Sequence, residues 1–350
     1  MSGFVTGRSP AFHSRRSVSR IMLDVGLALL PGLLTLVWLF GPGVLINAAI
    51  AGGCALGFEA AMLALRQRPI LPTLRDHSAV LSALLLAVAL PPHTPWWVTV
   101  TATFFAIVVA KQLYGGLGFN PFNPAMVGYV AVLIAFPQAM THWVAVPIDA
   151  GATPDWRQAL AHILQTASTP DAFSGATPLD FIRTELNRGV ALADAEHAYG
   201  QPGLLAMAGW EWINLAFLLG GIALLARRRI DGRIPLGVLI GIGVPAWIGH
   251  LIAPQSMASP TLHWLTGATM LGAFFIATDP VSAAATPTGR WLFGLGVGGL
   301  TWLIRSFGGY PDAMAFAVLL MNLVVPLLDQ YTRPRVLGER SAPQNPDGPP

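Results

Sequence analysis

A threonine hydroxyl in a polar segment near the middle of the chain is the side chain best suited to covalent chemistry. It closes the run Ser174, Gly175, Ala176 and Thr177. The small neighbours leave the hydroxyl accessible to a modifying enzyme, and a threonine hydroxyl can form a phosphoester. The alternative is structural: Thr177 is a helix N-cap, because Pro178 suits the first helical position and Asp180 suits the first turn. Taken alone, the four residues favour the cap.

Ionisable side chains inside apolar stretches form a second group of candidates. Glu59 lies well inside the second such stretch, Asp24 near the start of the first and His250 near the end of the seventh. Because a charge in a bilayer is costly, such groups normally face a cavity or a partner. Glu59 is therefore a candidate for an ion or proton pathway. The alternative interpretation is a hydrogen-bonded carboxyl that satisfies a neighbouring span.

The remaining polar groups have simpler interpretations. Lys111 and Arg305 are expected to extend their charged ends towards the membrane interface, and Asp279, before Pro280, is expected to be a cap. The single Cys54 cannot form a disulfide framework or hold a metal cluster by itself. The eight histidines show no ligand spacing and no glycine-rich nucleotide loop follows a strand. We therefore expect no metal site and no NADH or ATP binding in this chain.

The elements that position these residues are apolar helices. The chain is 54% hydrophobic and only 11% charged, with a mean hydropathy of +0.59, whereas soluble domains carry roughly 25% charged residues. Windows of roughly 20 apolar residues are long enough to span a bilayer. Ten such windows lie near 21–40, 44–65, 78–91, 95–113, 124–146, 209–226, 234–253, 262–279, 290–305 and 312–329.

The distribution of basic residues predicts the orientation. With the N-terminus in the cytoplasm, 16 of the 20 Lys and Arg residues lie on the inner side, where such residues are enriched. The exceptions are Arg157, Arg183, Arg188 and Arg305. Both termini are therefore predicted to be cytoplasmic, with the segment around Thr177 outside. The basic balance then reflects anchoring in the lipid bilayer, and we expect no nucleic-acid partner.

The predicted fold class is an all-α polytopic membrane protein of about ten transmembrane helices. Residues 1–146 form a first five-helix half, 147–208 a long periplasmic segment, 209–329 a second five-helix half and 330–350 a disordered cytoplasmic tail. Amphipathic stretches around 155–167 and 178–192 are expected to be short helices. A segment of that length in a compact protein is usually functional.

A faint internal similarity relates the two halves. Lys111 is followed by a Gly pair and a Pro turn that lead into Ala125, and Arg305 is followed by a Gly pair and a Pro turn that lead into Ala313. The charge count places the two turns on opposite sides of the membrane. With five spans in each half, this pattern indicates an inverted repeat, which is common in ion carriers. Gly/Pro turns recur widely, so ordinary turns explain the match equally well.

Several blocks together resemble one known family. The run Ser174–Thr177 resembles the flavinylation motif of the RnfD and NqrB family, the membrane subunits of Rnf electron-transport complexes and of the sodium-pumping NADH:quinone oxidoreductase. Gly115–Ala125 resembles the family's Gly-Gly-x-Gly-x-Asn-x-x-Asn-Pro-Ala signature, and Ala277–Ser282 and Gly308–Asp312 resemble further family blocks. The blocks occur in the right order over essentially the whole chain. The chain length favours the Rnf branch.

The resemblance implies a redox cofactor. In this family a flavin transferase moves FMN from FAD onto the threonine, which implies a covalent phosphoester-linked FMN on Thr177. It also implies a second, non-covalent flavin, riboflavin or FMN, near Asn120 and Asn123. Amide groups suit the polar edge of a flavin ring, and the nearby glycines allow close approach. The alternative for both residues is an Asn-Pro turn that caps a span.

The resemblance also implies a function and partners. We expect a bacterial inner-membrane subunit that relays electrons through FMN and couples transfer between ferredoxin and NAD to sodium or proton movement. The implied partners are the flavin transferase and the other Rnf subunits, RnfA, RnfB, RnfC, RnfE and RnfG. Two alternatives remain from the residues themselves: a secondary transporter of a small solute with inverted halves, and a structural anchor for soluble redox proteins.

Overall fold

The computed structural model of the chain describes residues 17–144, 153–166, 174–199, 209–310 and 312–333. Within these ranges the regular secondary structure is helical apart from two strands of two residues each. Four helical stretches are long and apolar enough to cross a membrane: Val18–Phe40, Gly43–Leu65, Arg233–Ile252 and Met314–Tyr331. Shorter apolar helices accompany them. The predicted class, a polytopic membrane protein built from helices, is confirmed.

In the N-terminal half, most of the predicted spans correspond to one or more helices. They are α1 (Val18–Ala28), α2 (Leu30–Phe40), α3 (Gly43–Leu65), α4 (Ile70–Leu74), α5 (Ser78–Ala89), α6 (Trp96–Phe104), α7 (Pro124–Ala135) and α8 (Pro137–Thr141). A π-helical segment, Phe105–Gln112, prolongs α6. After α8 the strand β1 (Trp143–Val144) pairs antiparallel with β2 (Ser174–Gly175).

The middle segment and the C-terminal half follow. The middle segment contains α9 (Trp156–Ile163), α10 (Pro178–Asn187) and α11 (Leu192–Tyr199). The C-terminal half contains α12 (Trp210–Ala226), α13 (Arg233–Ile252), α14 (Pro260–Leu265), α15 (Thr269–Leu271), the π-helical segment Gly272–Ile276, α16 (Pro287–Phe307) and α17 (Met314–Tyr331). Helices α9 and α10 confirm the two predicted amphipathic helices. The tail from residue 334 and the first 16 residues lie outside the described ranges.

The first predicted span is confirmed as the continuous stretch Val18–Phe40, with only a local irregularity at Leu29, just before Pro31, whose ring nitrogen cannot donate. Two other predicted spans were wrong in their continuity. The fifth ends at Ala135, because Pro137 starts a new short helix; its 12 residues reach only about 18 Å, less than a bilayer core. The eighth consists of α14, α15 and a π-helical segment, separated at Gly267 with a φ of 60°. Hydropathy averages across such breaks and does not detect them.

Glycine faces bring α13 and α16 into close contact. A Cβ on Gly298 would overlap the carbonyl oxygen of Val238, and a Cβ on Gly241 would lie 2.5 Å from the carbonyl oxygen of Leu295. Small residues of this kind allow two membrane helices to approach backbone to backbone. The pair therefore forms the most tightly packed part of the C-terminal half.

The two halves pack against each other through their helices and through two asparagines. Helix α2 contacts α12, and α7 contacts α17. The backbone N–H of Asn123 donates to Oδ1 of Asn322 at 3.1 Å, and the side chain of Asn123 donates to the carbonyl of Ile276 at 3.2 Å. An aromatic cluster of Phe40, Trp143 and Trp210, with ring centroids 5.1 to 5.9 Å apart, closes one end of the same junction.

Candidate functional site

Thr177 lies between a strand and a helix. Strand β2 ends at Gly175 and Thr177 is the N-cap of α10, with its Oγ1 accepting from the backbone N–H of Asp180 at 3.3 Å. Pro178 occupies the first helical position. The hydroxyl of Tyr199 donates to the carbonyl of Ala176 at 3.1 Å, and burial raises the pKa of Tyr199, so that it stays a donor. The predicted cap is confirmed, and the half-buried Thr177 hydroxyl lies at the end of a supported loop.

The elements on the two sides of Thr177 are fixed to different halves of the protein. Strand β2 pairs with β1 at the end of the N-terminal half, with Gly175 opposite Trp143. Helix α10 instead contacts the C-terminal half, because Arg183 donates to the carbonyl of Gly308. Leu179 is buried and packs with Leu262 of α14. Thr177 is thereby placed at the junction between the halves.

A cavity opens beside Thr177 and extends into that junction. Its lining is mainly apolar and draws on both halves. The aromatic lining residues are Tyr129, Trp143, Trp210, Phe217 and Tyr310, and the acidic ones are Asp180 and Asp312. The enclosed volume is about 100 Å³, below the roughly 300–1,000 Å³ of pockets that surround a drug-sized ligand. The cavity therefore admits the edge of a flat ring system rather than a whole nucleotide.

These residues fit a flavin attached to Thr177. An isoalloxazine ring is flat and largely apolar, with polar atoms along one edge, so it matches aromatic walls interrupted by a few polar groups. A phosphate on Thr177 Oγ1 would lie at the N-terminus of α10, where the first-turn N–H groups favour negative charge. Among these N–H groups, that of Asp180 is already directed at Oγ1. The nearby carboxylates of Asp180 and Asp312 would repel such a phosphate. The N-terminal end of α10 must therefore offset this repulsion.

Asn123 is hydrogen-bonded to two residues of the cavity wall. Met126 and Ile276 line the cavity. Asn123 caps α7, with Oδ1 accepting from the N–H of Met126 at 3.2 Å, and donates to the carbonyl of Ile276. Its predicted alternative role as a cap is thus confirmed. Asn123 connects the cap, the cavity wall and the opposite half of the protein.

Asn120 has more unused hydrogen-bonding capacity than Asn123. Its Nδ2 donates to the carbonyl of Phe122 at 3.0 Å, but its buried Oδ1 has no hydrogen-bond partner among the described residues. Gly115, Gly116 and Gly118 precede it with φ values of 129°, 100° and 92°, which only glycine adopts easily. The loop therefore presents an unpaired acceptor in a backbone conformation built on glycines.

Glu59 and Lys111 form a buried ion pair. Nζ of Lys111 lies 2.6 Å from Oε1 of Glu59, and both side chains are almost completely buried. Lys111 also donates to Oγ of Ser78 at 2.7 Å, and Gln112 donates to the same Glu59 oxygen at 2.7 Å. The interpretation of Lys111 as an interfacial anchor was wrong, because the charge points inward to a carboxylate. Oε2 of Glu59 has no partner within the described part of the chain.

Arg305 was interpreted wrongly in the same way. Its side chain is 1% exposed and Nη2 lies 2.9 Å from Oδ1 of Asp312. Nη1 donates to the carbonyl of His263 and to Oγ1 of Thr269, at 2.9 and 3.0 Å. This second ion pair lies at the wall of the Thr177 cavity, since Asp312 lines it. The signal available in the sequence was an acidic residue close after a cation within an apolar region.

The other ionisable candidates have structural partners. Asp24 lies 2.5 Å from Arg229 and 3.4 Å from Arg227. His250 shares a hydrogen bond with the carbonyl of Met257 at 2.8 Å. Asp279 accepts from the N–H of Val281 and from Oγ of Ser282 and so stabilises a turn. The predicted cap at Asp279 was wrong, because the helical segments on either side end at Ile276 and begin at Pro287. None of these three lines the Thr177 cavity, and Cys54 is a free, half-buried thiol.

Known proteins resemble the chain over nearly its whole length. The family described as NQR2, RnfD, RnfE family matches residues 5–338. The D component of the ion-translocating oxidoreductase complex of Escherichia fergusonii is 50% identical over 349 residues, which cover 96% of this chain and 99% of the relative. Proteins of the same name from Citrobacter koseri and Klebsiella pneumoniae are 50% and 49% identical, with the same coverage. The chain belongs to the NQR2, RnfD, RnfE family.

Proposed function

We propose that the chain is the membrane-embedded D component of an ion-translocating oxidoreductase complex. Relatives with this name share half of their residues with the chain and are covered almost completely by it. The membrane-spanning helices fit such a component. As in the expectation from the sequence, the complex would couple electron transfer between ferredoxin and NAD to sodium or proton movement, with RnfA, RnfB, RnfC, RnfE and RnfG as partners.

The protein carries electrons on FMN attached covalently to Thr177. The observation that supports this most directly is the placement of the Thr177 hydroxyl at an aromatic-lined cavity between the halves. In the attachment reaction the hydroxyl oxygen attacks the FMN phosphorus of FAD, the new phosphoester forms, and AMP leaves with the proton released to the transferase. Bound FMN supplies one- and two-electron chemistry that the side chains of this chain lack.

The residues of the chain bind and orient the cofactor. The N-terminal turn of α10 offers backbone N–H groups to the phosphate once Thr177 Oγ1 is esterified. Trp143, Trp210 and Tyr310 supply flat surfaces on the cavity wall. The apolar lining excludes water from the ring edge, which strengthens any charge interaction within the cavity. Ser174, Gly175 and Ala176 serve as the extended segment that the transferase recognises.

A second, non-covalent flavin is proposed at the loop before α7. The buried Oδ1 of Asn120, which has no partner among the described residues, suits the N3–H donor of a flavin ring. Asn123 supports that loop by capping α7. Glu59, paired with Lys111, keeps one carboxylate oxygen without a described partner and is proposed as a position on the ion path.

The proposed topology has ten spans in two inverted halves, with both termini in the cytoplasm and Thr177 in the periplasm. Support comes from a repeated arrangement. In each half a cation near the end of the penultimate span, Lys111 or Arg305, is buried in an ion pair. An inner-membrane location follows from the same assignment.

A denaturing gel tests the attachment. Purified from cells that contain the flavin transferase, the wild-type band is expected to fluoresce under ultraviolet light. Thr177→Asn is the informative variant, because asparagine is as good an N-cap as threonine but offers no hydroxyl. The band of this variant should be dark while the protein remains folded. Thr177→Ser keeps both the cap and a hydroxyl and is the matched control for accumulation.

Mass spectrometry of the peptide around Thr177 locates the adduct. A dark wild-type band in cells with an active transferase would contradict the FMN assignment, while membership of the family would stand. A fluorescent Thr177→Asn band would place the flavin on another residue.

A further inference from the structure

The ion pair of Arg305 and Asp312 shares a cavity with Thr177. Asp312 and Tyr310 line the cavity together with Thr177. The Asp312 side chain is 25% exposed, while the Arg305 side chain behind it is 1% exposed. A group attached to Thr177 and directed into the cavity therefore meets the carboxylate first and the guanidinium behind it.

The pair is held in place by the backbone on several sides. Oδ1 of Asp312 accepts from the N–H of Met314 at 3.2 Å, and Oδ2 accepts from the N–H of Ala268 at 2.7 Å. Nη1 of Arg305 is fixed by the carbonyl of His263. A Cβ on Gly267 would lie 2.6 Å from Oδ2 of Asp312, so only glycine permits this packing. The charges are therefore preorganised and do not need to move when a nearby charge changes.

The attachment helix is tied to the same loop. Arg183 of α10 donates to the carbonyl of Gly308, which lies between Arg305 and Asp312 in the sequence. Leu179, two residues after Thr177, has a methyl carbon 2.8 Å from the Cβ position built on Gly267. Both contacts keep the start of α10 next to the ion pair. The distance from Thr177 to the two charges is thereby restrained.

Packing alone does not account for these charges. A buried ion pair is often no more stabilising than well-packed apolar residues of similar volume. Here Nε of Arg305 is also buried without a hydrogen-bond partner among the described residues, so part of its donor capacity is unused. Burying this pair costs desolvation free energy, and the pair lies at the wall of the proposed cofactor cavity. The electric field of the pair on a group in that cavity explains its presence better than packing does.

We propose that Arg305 and Asp312 are positioning residues that set the reduction potential of the flavin on Thr177. This inference rests on the proposed attachment of FMN. Taking up two electrons and one proton leaves one further negative charge on a flavin ring, and charges near the ring tune its potential. Arg305 stabilises that added charge and raises the potential. Asp312 opposes it and lowers the potential. The pair balances the two effects at a mainly apolar cavity wall, where charges interact more strongly than in bulk water.

Charge-neutralising variants test the proposal by the sign of their effects. In the full-length flavinylated chain, a spectroelectrochemical titration should show a higher midpoint potential for Asp312→Asn and a lower one for Arg305→Gln. Arg305→Lys keeps the charge and should remain close to wild type. A purely structural role does not produce opposite shifts from the two partners.

Asp231→Asn is the matched control. It removes a carboxylate from another arginine pair, with Arg290 at 2.7 Å. Arg290 and Arg305 lie on the same helix, about 22 Å apart at 1.5 Å per residue. This variant should leave the potential unchanged.

The outcomes separate this inference from the proposed function. A dark wild-type band contradicts the attachment of FMN and this inference with it. Fluorescent variants whose potentials do not move, or move in the same direction, overturn only the inference. If Arg305→Gln does not accumulate, an upward shift in Asp312→Asn against an unchanged Asp231→Asn supports the proposal, and an unchanged Asp312→Asn overturns it.

Discussion

The ion pair of Glu59 and Lys111 permits a quantitative test of whether Glu59 is structural or conducts ions. Lys111→Met removes the cation and leaves a carboxylate in a fully buried position. Breaking a buried pair in this way costs about 3–5 kcal/mol. Glu59→Gln leaves the ammonium with Ser78 and Gln112 side chains nearby, and a cost of the same order is expected. At roughly 2 °C per kcal/mol for a chain of this size, each single variant should unfold about 6–10 °C below wild type.

The double variant distinguishes a coupled pair from two independent effects. Glu59→Gln with Lys111→Met leaves two neutral side chains of similar volume, and replacing a buried pair as a whole is often neutral or stabilising. The double variant should therefore unfold within about 2 °C of wild type. Thermal unfolding in detergent at fixed protein concentration measures all four proteins. Additive losses in the double variant would refute the coupling that the 2.6 Å distance implies.

Ion transport in the assembled complex then separates the two roles of Glu59. If Glu59 serves only packing, the double variant should recover ion transport together with stability. If Glu59 lies on the ion path, the double variant should be stable but should pass electrons without moving ions. Electron transfer and ion uptake in sealed vesicles measure the two quantities side by side.

Two further predictions concern packing and pH. Gly298→Ala should destabilise the protein by about 1–3 kcal/mol, because the added methyl overlaps the carbonyl of Val238. Gly53→Ala should instead stabilise α3 by up to about 1 kcal/mol, because a Cβ there would meet no described atom within 4 Å beyond its chain neighbours and its own helix backbone. Equal Tm shifts for the two variants would contradict this packing. Burial and the neighbouring His162 lower the pKa of His93 to about 4, below its unfolded value of about 6.5. The contribution of neutral His93 to the free energy of unfolding is therefore complete above pH 6.5 and is lost as the pH falls towards 4. His93→Gln should therefore lose less stability than wild type between pH 7 and pH 5, by up to about 2 kcal/mol. Parallel Tm curves would exclude this role.

Local signals in the sequence were sufficient for the long helices and for the cap at Thr177. Apolar windows at 44–65 and 234–253 agree within one residue with the helices Gly43–Leu65 and Arg233–Ile252. The cap at Thr177 followed from its neighbours Pro178 and Asp180, since capping depends on residues only three positions apart. Such features need no knowledge of the rest of the fold.

Long-range contacts were not available to the same reasoning. Glu59 and Lys111 are 52 positions apart, and each alone is compatible with an anchor or a cap. The cavity beside Thr177 needs walls from α2, α7, α12 and α17, which meet only in three dimensions. The break at Gly267 depends on a backbone angle that hydropathy does not report. A cation inside an apolar stretch indicates that a carboxylate lies nearby, because a charge within a bilayer normally has a partner.

The attachment of Thr177 to both halves has a consequence for biosynthesis. The strand before it needs Trp143 as a partner, which the ribosome has already produced, but the helix after it needs Gly308, which is made more than a hundred residues later. The loop therefore takes its final shape only once the last two helices are being inserted. A transferase that recognised this shape would modify completed chains in preference to nascent ones. Under the proposed attachment of FMN, covalent modification would mark the molecules that have finished folding and are ready for assembly.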